Sequence, residues 1–232
     1  MSNADDFIQE YKELENLCRC KYGFSADGKA ISKLITARKF PEYEKELVWC
    51  KDIRNILQHD PKIDGNYIIE PDRGLINLLK KIIDRVSNPP CVIEYAIHSA
   101  DIVAASLEKQ VKPYIREMIE KNYTHIPILD KNQYVSGVFS ENTVFMNIAC
   151  DEIAEIDERT TFEDLSKYLP IEAHKTEAFQ WCKKNCLLSE VKDLFHETLQ
   201  NGKRLNMIFI TEHGKSTEKL LGIVTPWDIL GK

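Results

Sequence analysis

Glycine and proline are scarce, nine of each in 232 residues, which excludes collagen-like, low-complexity and wholly disordered chains. No apolar run approaches the roughly 20 residues of a membrane-spanning helix, and the opening MSNADDFIQE lacks the basic and apolar regions of a signal peptide. The expectation is a cytoplasmic protein with no membrane partner. Seven cysteines, an odd number, form no paired CxxC knuckle and have no histidine close by. A disulfide framework and an obvious zinc site are thereby excluded, and the expected metal set is none. A basic run is also missing. The net charge is −6, and of 31 Lys+Arg and 37 Asp+Glu, residues 1–90 hold 15 of each, leaving 16 against 22 downstream. Such a chain has no general field to attract nucleic acid.

What is present is a globular composition, 43% hydrophobic and 29% charged, with a change of pattern along its length. Phe7, Tyr11, Leu14 and Cys18 fall at helical steps, as do Leu75, Leu79, Ile82 and Val86. A short helix around Ile31 to Arg38 and a longer one from about Pro41 to His59 lie between them, so residues 1–88 read as a small helical bundle. Ser87-Asn88-Pro89-Pro90 marks the boundary, because tandem prolines stop a helix.

Downstream, short β-type runs alternate with helices. His125 to Asp130 and Tyr134 to Ser140 read as two strands joined at Lys131-Asn132-Gln133, with a helix from Glu141. The layout returns in Asn206 to Thr211, Leu220 to Thr225 and a helix from Pro226, each copy preceded by an amphipathic helix (Tyr114 to Lys121, Ser189 to Leu199). This is an internal repeat. The expected units are a first repeat at 91–150, a linker or insertion at 151–178 and a second repeat at 179–232. Phe162, Leu165, Tyr168 and Leu169 predict a docked helix within the insertion. The fold class is multidomain α+β, a helical bundle followed by two βαββα repeats.

Gly222-Ile223-Val224-Thr225-Pro226-Trp227-Asp228, Gly137-Val138-Phe139-Ser140-Glu141-Asn142-Thr143 and His125-Ile126-Pro127-Ile128-Leu129-Asp130 resemble the motifs of a tandem pair of CBS domains, the Bateman module. The resemblance covers about residues 91–232. It implies an adenosine-containing ligand (AMP, ADP, ATP, NAD or S-adenosylmethionine), with Thr225 on a phosphate and Asp228 on the ribose. The chemistry suits that ligand: a strand hands over to a helix at Thr225, where backbone donors and the hydroxyl favour an anion. Asp228, one turn on, can accept from two ribose hydroxyls. In the first repeat Ser140 matches Thr225, but Thr143 stands in place of Asp228 and accepts less strongly. That site is expected to be weaker, altered or empty, with Asn142 as a partial substitute. His125 and Asn206, at matching places before the second strand of each repeat, are expected lining residues. The alternative for Thr225 and Asp228 is a plain N-capping box. Trp227 is expected to cover the core rather than to stack on a base.

Arg54-Asn55-Ile56-Leu57-Gln58-His59 matches the R-x4-H pattern of HEPN domains, which it resembles over six residues. That resemblance implies a homodimer in which His59 activates a ribose 2′-hydroxyl, Arg54 stabilises the phosphate and Asn55 orients His59. Residues five apart point about 140° from each other on a helix of about 3.6 residues per turn, so one helix alone does not bring Arg54 and His59 together. The leading expectation is a regulatory sensor passing the state of a nucleotide-bound repeat pair to the helical domain. The alternatives are a ligand-gated, metal-independent ribonuclease, with RNA as partner, and a non-binding dimerisation scaffold.

Overall fold

The computed structural model describes residues 2–25, 28–59, 62–150, 156–197 and 202–230. It divides into two compact units, Met1–Pro90 and Cys91–Lys232. The first is helical: α1 (Asn3–Tyr22), α2 (Ala30–Thr36), α3 (Glu44–His59) and α4 (Arg73–Ser87). Ser2 and Asp5 cap the start of α1 reciprocally, and Gly23 ends it in the left-handed conformation at φ 66°. The apolar stripe Phe7, Tyr11, Leu14 and Cys18 is buried and meets Leu79, Ile82 and Val86 of α4 in a single core. α3 begins three residues later than periodicity predicts, because Pro41–Tyr43 forms a 3-10 turn. Asp60 and Pro61, which follow that helix in the sequence, lie outside the described residues.

The second unit contains two copies of a βαββα layout. In the first, α5 (Val111–Lys121), β2 (His125–Leu129), β3 (Val135–Ser140) and α6 (Glu141–Cys150) follow a first strand reduced to one parallel bridge, Ala105 to Ile128. In the second, β4 (Glu177–Lys183) runs parallel to β5 (Arg204–Thr211), with α7 (Leu188–His196) between them, and β6 (Gly222–Val224) leads into α8 (Pro226–Leu230). β1 (Ile97–His98), although it precedes the first repeat, pairs with β6 and completes the sheet β1-β6-β5-β4. Leu199, the expected end of the helix after β4, is outside the described residues.

The two leading segments are exchanged. Cys91 bridges to Leu187 just before α7, and Thr161 bridges to Gln110 just before α5. The Cys91 amide donates to Glu94 (3.0 Å), and the Thr161 amide to Asp164 (2.8 Å). Val92 and Phe162 follow with no exposed surface, one in each repeat's core. Residues 161–169 are therefore a docked lead segment. The helix expected there is instead a run of i→i+3 turns, with Leu165 bonded to Phe162 and Tyr168 to Leu165. A third cluster, including Val138, Phe179, Phe209 and Ile223, joins the two sheets.

This exchange explains both motif glycines by close approach. A Cβ on Gly137 would sit 2.5 Å from the Leu169 carbonyl oxygen, and one on Gly222 would sit 3.0 Å from that of Ile97. The crossing segment needs the space.

Candidate functional site

A cleft of about 710 Å³ opens between the two repeats. Its apolar wall comes from the lead segment and the strands: Ile97, Ile102, Val103, Met207 and Ile223. Its polar groups include His125 at the start of β2, Asn142 on α6, Glu177 at the start of β4, Arg204 and Asn206 on β5 and Thr225 at the end of β6, with the carboxylates of Asp101 and Glu141 also on the lining. A slab-like apolar wall with a few convergent polar groups is the ordinary composition of a small-molecule site.

Thr225 faces this cleft, but its donors are already engaged. Its amide donates to Asp228 Oδ2 at 2.8 Å and its hydroxyl to the same oxygen at 2.7 Å. Asp228 is not one of the cleft-lining residues. Through Oδ2 the carboxylate caps the turn, satisfying the amide left unpaired as the strand ends. Pro226 has no N–H to offer, so the residue directly after Thr225 adds no backbone donor at the strand end.

The first repeat departs further. Ser140 and Thr143 have 0% and 2% of their surface exposed and do not line the cleft. The Ser140 amide donates to Thr143 Oγ1 at 3.0 Å, and the Ser140 hydroxyl donates to Glu177 Oε2 at 2.9 Å. Glu177 was not singled out from the sequence, yet it is the hub of the site. It takes His125 Nε2 on Oε1 (2.8 Å) and His174 Nδ1 on Oε2 (2.8 Å). The other nitrogen of His174 faces the Val138 and Leu169 carbonyls at 3.2 and 3.4 Å. Both nitrogens of that ring therefore meet only acceptors. Burial opposes charge on Glu177, but hydrogen bonds from His125, His174 and Ser140 outweigh it and hold the carboxyl far below the ordinary glutamate range.

His125 and Asn206 are brought together, with Asn206 Nδ2 3.1 Å from His125 Nε2. Asn206 Oδ1 is buried with no hydrogen-bond partner among the described residues. Asn142 lines the cleft and donates to Thr176 Oγ1 at 3.2 Å. Arg204, two residues before Asn206 on β5, shares its strand face, a period-two signal present in the sequence. Its side chain is exposed, and among the described residues no carboxylate lies within 4.0 Å of it. Lys121 also lines the cleft but is held by Glu117 at 2.7 Å. Trp227, expected to cover the core, is 85% exposed and stands at the rim of the cleft.

In the helical unit Arg54 and Asn55 are adjacent partners, Arg54 Nη1 donating to Asn55 Oδ1 at 3.2 Å. The guanidinium packs 5.7 Å from the centroid of the Tyr11 ring, and its Nε is buried without a hydrogen bond to any described residue. His59 is exposed at the end of α3, and no contact joins it to Arg54 within the chain as described. Among the described residues no helix is long and apolar enough to cross a membrane, and no group of three or more His, Cys, Asp or Glu is placed to hold a metal ion.

No protein-family model and no curated protein matches the chain. Solved structures do. An acetoin utilization protein of Vibrio cholerae is 14% identical, with a TM-score of 0.45 over 62% of this chain and 90% of that one. The CBS domains of a transcriptional regulator of Streptococcus pneumoniae are 18% identical, with a TM-score of 0.41 over 62% and 100%. CBSX2, a CBS-pair protein of Arabidopsis thaliana whose structure was solved in complex with AMP, is 17% identical, with a TM-score of 0.43 over 61% and 93%.

Proposed function

We propose that the second unit is a CBS pair that binds an adenine nucleotide in the cleft, and that the chain is a regulator whose helical unit responds to that binding. The observation that carries this reading is the Asn206 side-chain amide: a cleft residue with one buried polar atom that no group among the described residues satisfies. Such an unpaired buried group costs about 1–3 kcal/mol, which a hydrogen bond to the polar edge of adenine would recover. The surroundings fit the rest of the molecule. The apolar wall suits the base, the Trp227 indole at the rim offers an aromatic face, and the exposed Arg204 guanidinium suits a phosphate. The Thr225 hydroxyl, whose proton goes to Asp228, is left to accept a hydrogen bond from the ligand.

Transmission to the helices follows as a linkage: a nucleotide that prefers one arrangement of the repeats shifts the chain toward it by its differential affinity. The test is a thermal-shift and calorimetric panel of AMP, ADP, ATP, NAD and S-adenosylmethionine on the full chain. At least one nucleotide should bind, and Asn206→Leu should weaken it about tenfold or more. Failure of every member to bind, or unchanged binding in Asn206→Leu, would overturn the reading.

A further inference from the structure

Ser140 holds in the first repeat the position that Thr225 holds in the second, yet only Thr225 reaches the cleft. The Ser140 hydroxyl points at Glu177, and so do two imidazoles from other parts of the chain. The three donors come from the end of β3, the start of β2 and the loop before β4, and all three meet one carboxylate at the entry to α6, a helix of ten residues. Convergent hydroxyl and imidazole donors at a strand-to-helix junction are the equipment of an anion site. Here the chain supplies the anion. Glu177 is 6% exposed, and its two oxygens receive all three donors at 2.8–2.9 Å, leaving no donor of the set for a ligand.

We propose that Glu177 is a built-in anion that closes the first repeat's anion site, so that each chain takes one nucleotide, whose phosphate is directed to the Arg204 side of the cleft. The count of one rests on the nucleotide reading above. The closed site does not, because it concerns only contacts within the chain.

Glu177→Ala removes two carbons and two oxygens, which are the heavy atoms of acetate, and leaves two imidazoles and a hydroxyl around the gap. The variant should melt roughly 6 to 20 °C below the parent chain, since one partner of a buried charged set is missing. Acetate should restore a saturable part of that loss in the variant and leave the parent unchanged, with sodium chloride at equal ionic strength as the control. Should the variant not fold in chloride, recovery of folded protein in acetate supports the assignment, and failure in both salts counts against it. An acetate effect no larger than that of chloride would refute it. Ser140→Ala provides a second reading: the melting temperature falls while AMP affinity stays within about twofold. A tenfold loss of AMP affinity in Ser140→Ala, or two AMP bound per parent chain, would overturn the proposal. If the parent binds no AMP, the acetate arm still decides the role of Glu177 and the nucleotide reading alone fails.

Discussion

Replacing Arg204 by alanine separates recognition of a phosphate from every other use of the cleft. The guanidinium is exposed, and no carboxylate among the described residues comes within ion-pair distance, so its removal should change stability by no more than about 0.5 kcal/mol. The backbone should hold, because the Arg204 amide donates to the Thr176 carbonyl at 2.9 Å and the strand stays paired to β4 whatever the side chain. A charge-assisted hydrogen bond to a phosphate contributes about 1.5–3 kcal/mol, a loss of roughly 10- to 150-fold in affinity. Adenosine offers no phosphate and should bind parent and variant alike. Calorimetry of AMP and adenosine on both proteins therefore gives a two-by-two comparison in which only the AMP–parent pair stands out. Equal losses for AMP and adenosine would place Arg204 on another part of the ligand, and no loss for either would remove it from the site. Raised salt should narrow the same gap, since an exposed charge is screened.

Three further outcomes follow from particular contacts. Gly137→Ala should cost about 1–3 kcal/mol or more in urea denaturation, and Gly222→Ala less, because the added Cβ meets the Leu169 oxygen at 2.5 Å in the first case and the Ile97 oxygen at 3.0 Å in the second; the reverse order would contradict the crossed lead segments. The carboxyl of Glu177 is held below its ordinary value of 4.5, so its contribution is complete above that pH and is lost as the pH falls toward the folded value. Urea midpoints at neutral pH should therefore rank the parent well above Glu177→Gln, with the gap closing below about pH 4.5; a gap constant with pH would refute the charged role. AMP should change the fluorescence of the parent chain but change it far less in Trp227→Leu, and an identical change in both would remove the indole from the cleft.

The helical stripes were readable because every fourth or third side chain of α1 and α4 had to face one core, and local periodicity carries that information. The paired glycine motifs likewise announced two copies of one layout. Residues 161–169 misled for a local reason: Phe162, Leu165 and Tyr168 are spaced by three, which suits successive i→i+3 turns as well as an α-helix, and the choice was made by docking against residues 107–111. The Glu177 hub was not legible, since its partners His125 and Ser140 lie 52 and 37 residues away and neither carries a local mark of the pairing. Asp228 was legible as a motif but ambiguous in role, because a carboxylate three residues after Thr225 serves a cap and a ribose with the same spacing. Arg204 could have been found from its alternation with Asn206.

The central claim is that the cleft beside Asn206 and Arg204 takes one adenine nucleotide. A crystal structure of the full chain grown with AMP tests it most directly. The account predicts one nucleotide per chain, its base against the Ile102, Met207 and Ile223 wall, its phosphate at Arg204, and Glu177 still bonded to Ser140. A nucleotide seated on Ser140 with Glu177 displaced, or a cleft left empty at saturating AMP, would contradict it.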